Sequence, residues 1–484
     1  MKTRHFILSV ALCMAFAATA NAQYSETNNL FYHSFRTPQS NQLNPSFFPT
    51  NNTFYLSLPT AGVHFGSPLS ISDMVHLDTN ASTGEVITAI DINQMLDALN
   101  ADNRFRFGTE INLLGFGFKV KNLFFNFNTM MRNHINVGLP IGTINALRYG
   151  NVDADGRAVN EVYLVNGDLI NFSNYLELSI GGGYKFDQMP LTVGAHAKLL
   201  FGLANLQTDN TRAVIRTDDN YEAIGLDLYY QVESASAMAV DTNGNMHFSL
   251  GNIGVALDIG AHYELGPVSI SASINDISPG IHWRKNVTNI TPEGGQTYIE
   301  FDGQDVSSVI NGGNMSIDSL ANYYQTLVNG LAPAHDSEYE YWHGIPTKLN
   351  LGINYNFAKY FRAGLLLHGE FDRGLLTRHN FYYELDLTDQ IVNTFRFNTT
   401  LSFGVNLFNW VELLLGSSVV YDGSKVDFFN PGIGLVFTPG TVVQFHLMAD
   451  YVSSIRLVEA KAFNIKVGLS MLFGKGNKTT ITQD

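Results

Sequence analysis

One cysteine occurs in the 484 residues, Cys13, and it sits inside an N-terminal stretch with the pattern of a secretory signal peptide. Lys2 and Arg4 supply the basic start, Phe6 to Ala18 the apolar run, and Ala20-Asn21-Ala22 a small-residue cleavage site before Gln23. Cleavage after Ala22 leaves a mature chain with no cysteine, so no disulfide, thiol nucleophile or cysteine–metal site is expected. Leu12 precedes Cys13 where a lipoprotein signal carries a small residue, so a lipid anchor is not expected either. Charge is scarce: 15% of residues are charged, against about 25% in an average soluble protein. The formal net charge of −15 becomes −17 once Lys2 and Arg4 are lost. An acidic chain without clustered Lys and Arg is a poor partner for nucleic acid. The apolar run of the signal is too short to span a membrane, and no run of about eighteen apolar residues follows it, which excludes helical spans. HExxH, GxSxG, Walker-type and cysteine-based motifs are all missing, so no enzyme and no cofactor is expected.

Aromatic residues and glycine are abundant instead, with 34 Phe, 22 Tyr and 43 Gly. Their arrangement is a period of two. In Phe463 to Phe473, Ile465, Val467, Leu469, Met471 and Phe473 point one way, and Asn464, Lys466, Gly468 and Ser470 the other. Phe395 to Leu407, Leu349 to Phe357 and Val443 to Tyr451 alternate in the same manner. A soluble sandwich uses such strands, and so does a membrane barrel with an apolar face in lipid and a polar face in the lumen. An exported chain with many aromatics, few charges and no spanning helix fits the barrel.

Six tight connections, around Lys121-Asn122, Asp187-Gln188, Gly266-Pro267, Ala358-Lys359, Phe408-Asn409 and Pro439-Gly440, carry the residues that tight turns demand. With both termini on the short-turn side, six turns imply seven hairpins and fourteen strands, an even number that closes without an edge. The strands are expected at 53–66, 104–119, 122–133, 173–186, 190–204, 246–265, 268–278, 346–357, 360–373, 392–407, 410–421, 428–438, 441–453 and 462–474. The apolar face of the second switches near Leu113-Leu114, the mark of a bulge. The fold class is therefore all-β: a transmembrane antiparallel up-and-down barrel. The organisation reads as signal peptide 1–22, N-terminal plug or leader 23–52, barrel 53–474 and polar tail 475–484. Within the long loops, Ile92, Met95, Leu96 and Leu99 have helical spacing, as do Leu320, Tyr324, Leu327 and Leu331. Asn151 to Gly156 has the start of a calcium loop, but Val162 stands where the bidentate Glu belongs, and no metal is expected there. Asp241-Thr242-Asn243-Gly244 reads as a hairpin turn.

Two segments carry a resemblance to known families. Asn44-Pro45-Ser46-Phe47 resembles the NPA-type segment that precedes the first strand of FadL-type fatty-acid transporters and of the related secretion-system barrels of Bacteroidota. Lys466, Gly468, Met471 and Phe473 match the pattern of the β-signal that outer-membrane barrels carry in their final strand. The resemblance implies a fourteen-stranded barrel in the bacterial outer membrane, with the N-terminal segment folded into the lumen as a plug. It implies contact with outer-membrane lipids and the barrel-assembly machinery, and binding or passage of a small hydrophobic molecule. A non-transporting scaffold barrel of a secretion or envelope complex is the alternative.

Strand parity turns a set of charged residues inward: His196, Lys198, Asp258, His262, Arg362, His368, Glu370, Arg396, His446, Asp450 and Lys466. Any water-filled barrel needs a polar interior, so these residues are read first as wall-stabilising and only second as ligand contacts. Lys198 and Asp258 take similar heights on neighbouring strands and are expected to pair, beneath the plug.

Overall fold

The alternating segments have one way to bury their polar faces in a membrane: closure of a sheet, with every backbone group paired to a neighbouring strand. The computed structural model describes residues 26–35, 37–48, 52–79, 86–90, 92–99, 103–149, 157, 159–217, 224–240, 243–292, 297–301, 334–337, 339–376, 395–407, 410–421, 426–452 and 459–474. Fourteen strands form the wall: β1 (Phe54–Gly66), β2 (Arg104–Val120), β3 (Leu123–Gly138), β4 (Ile170–Lys185), β5 (Leu191–Thr217), β6 (Ile253–Leu265), β7 (Val268–Ile277), β8 (Thr347–Ala358), β9 (Phe361–Phe371), β10 (Phe395–Leu407), β11 (Val411–Tyr421), β12 (Val426–Phe437), β13 (Val443–Asp450) and β14 (Ala462–Phe473). Each pairs antiparallel with the next. β14 returns to β1, from Phe54 opposite Phe473 to Gly66 opposite Ala462, and closes the ring.

The outward face is apolar. Leu199, Leu257, Leu351, Leu401, Phe445 and Val467 are all exposed on it. Aromatic pairs mark both rims. Phe54–Phe473, Phe118–Phe125, Phe357–Phe361 and Trp410–Phe437 lie at the short-turn end. Phe65–Phe463 and Phe371–Phe395 lie at the other. From Phe54 to Phe65, steps of about 3.3 Å on a strand tilted by roughly 40° rise about 28 Å, close to the apolar band of a membrane barrel. Among the described residues no helix is long and apolar enough to cross a membrane.

All fourteen strands lie where the alternation places them, with differences at the ends. The sixth begins at Ile253; Met246–Phe248 instead pairs with Met238–Val240 as a separate ribbon around the turn with Gly244 (φ +81°). The fifth runs on to Thr217 because its continuation finds partners in Glu161–Asn166 and Ile224–Ser236, loop strands whose mixed polarity hides them. The bulge in β2 is present, with the register shifting between Asn112 and Leu114. Ile92–Ala98 is helical. The expected turn at Phe408-Asn409, the helical spacing at 320–331 and Asn151–Gly156 fall outside the described residues.

The last strand holds a difference of consequence. Parity predicts that Leu472→Asp is milder than Phe473→Asp, since Phe473 faces lipid. Phe473 does face outward, but Leu472 is buried in an apolar cluster with Phe48, Tyr55 and Phe124. A carboxylate there loses that packing and has no partner, at a cost of about 3–5 kcal/mol, whereas an acidic residue near the lipid interface costs only about 0–1 kcal/mol. Refolded Leu472→Asp should therefore lose its heat-modifiable band at a markedly lower temperature, while Phe473→Asp refolds normally but reaches the outer membrane poorly. Wild-type thermal behaviour of Leu472→Asp, or normal membrane levels of Phe473→Asp, rejects the respective half.

Candidate functional site in the barrel lumen

The described N-terminal residues 26–35 and 37–48 lie inside the barrel. They are short of the apolar periodicity that would make long helices, and they form two single turns, Asn29–Tyr32 and Pro38–Gln42. Asn28 caps the first by accepting from the Phe31 N–H. Asn44 ties the segment together. Its Oδ1 accepts from the Ser46 N–H (3.0 Å) and Oγ (2.6 Å), an Asx-type turn. Its Nδ2 donates to the Tyr32 hydroxyl (3.0 Å) and to the backbone carbonyl of Ala272 in β7 (3.2 Å). Pro45 lies against Gly194 of β5, and Asn44 against Gly260 of β6, where a Cβ would collide with them. Inward-facing glycine is what allows the segment to come so close to the wall.

Side chains from around the barrel hold the segment. Asp450 accepts from the Asn29 N–H (2.6 Å), and Arg362 donates to the His33 carbonyl (2.6 Å) while paired with Glu412 (2.6 Å). Tyr32 donates to Ser271 (3.0 Å), Ser273 to the Leu43 carbonyl (2.6 Å), Ser470 to Gln39 (2.9 Å) and Asn464 to the Glu26 carbonyl (2.9 Å). His33 Nδ1 is 2.8 Å from Asn354 Oδ1, and burial pushes its imidazole down to about 4, against the pull of that bond, so the ring is neutral at pH 7. Lys466 lies over the Phe31 ring, and the His446 ring lies 5.2 Å from it. His262 meets the edges of Phe35 and Phe47.

The lumen wall is two-sided. On β9 and β11–β13 the inward residues Leu366, Leu414, Val436 and Met448 form an apolar strip. Phe31, Tyr32, Leu43 and Phe47 cover it completely. Across from it, β2–β8 and β14 carry a buried ionic network. Lys198 lies 2.6 Å from Asp276, 2.8 Å from Asp258 and 3.4 Å from Glu177. Arg132 reaches Glu177 (3.0 Å), Asp276 (3.2 Å) and Glu110 (3.7 Å). Glu110 also meets Lys348 and Lys466. His196 Nδ1 lies 3.1 Å from Asp258. A second group centres on Glu26, with Arg396 at 3.0 Å, His134 at 3.2 Å, His64 at 3.4 Å and Arg106 at 3.8 Å. Burial opposes the charged form of Glu26. The charge of Arg396 and the hydrogen bonds of His134 and His64 outweigh burial and hold its carboxyl well below the usual range. Glu370 and Asp372 share Arg396 with it, and His368 lies beside Glu370 and bonds Asn350 (2.7 Å).

The inward-facing residues read from parity thus divide. Arg362, Arg396, His262, His446, Asp450 and Lys466 touch the N-terminal segment, whereas His196, Lys198, Asp258, His368 and Glu370 bond within the wall. Lys198 and Asp258 stand together, but not beneath the plug. Asn44 and Pro45 meet Gly260 and Gly194 on the short-turn side of the pair, while Glu26 meets His64 and His134 near the other ends of their strands, so the segment passes beside the pair instead of capping it. Parity also missed residues. Asn275 and Asp276 both face inward because the register shifts there and Asp276 adopts φ +60°, so alternation assigns Asp276 to lipid. Arg106, Glu110, Arg132, His134 and Glu177 lie on β2–β4, and their inward parity was readable.

On the outside of the wall, Ile259, Ala261, Ala272, Ile274, Leu351 and Phe397 border an apolar groove of about 530 Å³. It backs directly onto Gly260 and Ser273, whose inner side carries the plug segment.

Among solved structures, the chain is similar to the toluene transporter TodX of P. putida, at 12% identity over 94% of this chain and 96% of that one, with a TM-score of 0.39. It is similar to the toluene transporter TbuX of Ralstonia pickettii at 9% identity, over 90% and 94% of the two chains, with a TM-score of 0.40. A Pseudomonas aeruginosa FadL homologue has 11% identity, 94% and 99% coverage and a TM-score of 0.37. None of the curated proteins matches the chain. The model of a family of unknown function, DUF5723, matches residues 45–450, most of the chain, and the protein belongs to that family.

Proposed function

We propose that this protein is an outer-membrane barrel that passes a small hydrophobic molecule, with the N-terminal segment as a plug that must move for passage. The apolar strip of Leu366, Leu414, Val436 and Met448 carries this reading. A lumen built only to hold water has no use for such a strip, since each exposed apolar side chain costs about 1.5–3 kcal/mol relative to burial. With the plug displaced, the strip offers a hydrophobic molecule the contacts that Phe31 and Phe47 now make. The outer groove backing onto Gly260 gives the same molecule a foothold on the lipid side. Passage of small hydrophobic molecules is also what the FadL-type resemblance implies.

The test uses the absence of cysteine beyond Cys13. Leu414→Cys places one thiol on the strip, and Gly194→Val pushes the Pro45 backbone off the wall without removing the plug. Leu414→Cys alone should react with neither an apolar nor a charged maleimide of equal size. In the Gly194→Val background, the apolar reagent should react several-fold faster than the charged one. Equal rates for the two reagents make the lumen an aqueous pore. No labelling in either background means a permanently sealed barrel, the behaviour of a scaffold.

A further inference from the structure

The structure assigns a divalent-metal site to Glu26, His64 and His134, binding a cation of the zinc class that clamps the start of the plug to the wall. The three residues come from separate parts of the chain: Glu26 from the plug segment, His64 from β1 and His134 from β3. All are buried, and one ligand atom from each lies within 4.8 Å of the others. The two edges from the carboxylate to the imidazoles fit tetrahedral coordination. Bonds of about 2.0–2.1 Å set the ligand–ligand edges of a zinc tetrahedron at about 3.3–3.4 Å. Glu26 Oε2 lies 3.2 Å from His134 Nδ1 and 3.4 Å from His64 Nε2. Two imidazoles and one carboxylate oxygen are a donor set suited to zinc, with a fourth position left for water.

The surroundings orient the donors as outer-shell groups do. Arg396 Nη2 donates to the other carboxylate oxygen, Glu26 Oε1, at 3.0 Å, which fixes the carboxylate plane and leaves Oε2 aimed at the imidazoles. Arg396 is shared by Glu26, Glu370 and Asp372, so its one positive charge is divided among three carboxylates. In the metal-free form each imidazole places a proton between its nitrogen and Oε2. A metal takes the place of those protons, each neutral imidazole then carrying its single proton on the ring nitrogen away from the metal, and plug and wall are joined through coordinate bonds instead of hydrogen bonds. The clamp stands whether or not a hydrophobic molecule passes through the barrel.

The test is metal binding by the untagged full chain, folded in detergent and stripped with chelator. Titration with Zn2+ should give saturable binding of one ion per barrel, and Co2+ should give the visible spectrum of a tetrahedral site. Glu26→Gln leaves the wall intact and should weaken binding at least about tenfold. His64→Gln with His134→Gln should abolish it, and His247→Gln with His282→Gln, two histidines outside the buried ionic network, should leave it unchanged. Zn2+ should also raise the temperature at which the wild-type heat-modifiable band is lost, but not that of Glu26→Gln. Absence of saturable binding in the wild type overturns the site, as does binding that survives in both Glu26→Gln and the His64/His134 double variant.

Discussion

Deletion of residues 23–51 should leave a folded, heat-modifiable barrel whose single-channel conductance is larger than that of the intact chain. The wall does not depend on the segment for its ladder: β1 to β14 pair with one another all the way round. The plug instead fills the space the ring encloses. Leu30, Phe31 and Tyr32 are fully buried, with inward Gly352 leaving room for Tyr32 and Gly416 and Gly432 for Leu30. Loss of these side chains and of Phe47 forfeits roughly 1.5–3 kcal/mol each in burial, offset in part because the charges behind them regain water. The barrel should therefore melt at a lower temperature yet remain closed. Unchanged conductance would show that the long loops seal the lumen without the plug. Loss of the barrel itself would show that the segment is needed for folding and would leave its gating role undecided.

Within the ionic network the largest effect of a single substitution is expected at Lys198. Its ammonium sits among Asp276, Asp258 and Glu177, none of which is exposed to solvent. Lys198→Met leaves those carboxylates facing one another, with Arg132 beside Glu177 and Asp276 and only His196 beside Asp258 among the described residues. Breaking a buried pair from one side costs about 3–5 kcal/mol, whereas a solvated pair is worth at most about 1 kcal/mol. A double-mutant cycle with Asp258→Asn, read on heat-modifiability, should give strong coupling in the intact chain and weak coupling once residues 23–51 are removed. Additive losses would mean that the two groups do not interact. Coupling that survives plug deletion would mean that the wall network keeps itself dry without the plug.

Much of this architecture can be read from the sequence, for a physical reason. A membrane barrel faces lipid on one side and polar groups on the other, so period two is imposed on nearly every strand and the tight turns punctuate it. That logic finds fourteen strands and the inward parity of Lys198 and Arg396. It fails wherever the period breaks. Asp276 is turned inward by one positive-φ residue, an event with no trace in the alternation. The extension of β5 to Thr217 depends on partners contributed by loops. The grouping of Glu26 with His64 and His134 joins positions far apart in the chain, which strand parity alone does not relate. The packing of Leu472 against Phe48, Tyr55 and Phe124 is equally invisible to parity, which says which way a side chain points and nothing about what it meets there.

The plug is continuous with β1, and only residues 49–53 separate Phe48 from Phe54, the first residue of the strand. Fully extended, five residues reach about 17 Å. A displaced plug is thus confined near the mouth it came from, and its return is a first-order event that no dilution slows. Tethering over so short a span holds a ligand at roughly millimolar effective concentration. Under the proposed function, a hydrophobic molecule on the apolar strip competes with a plug that stays tethered beside it, so it delays the plug's return without ever diluting the plug away.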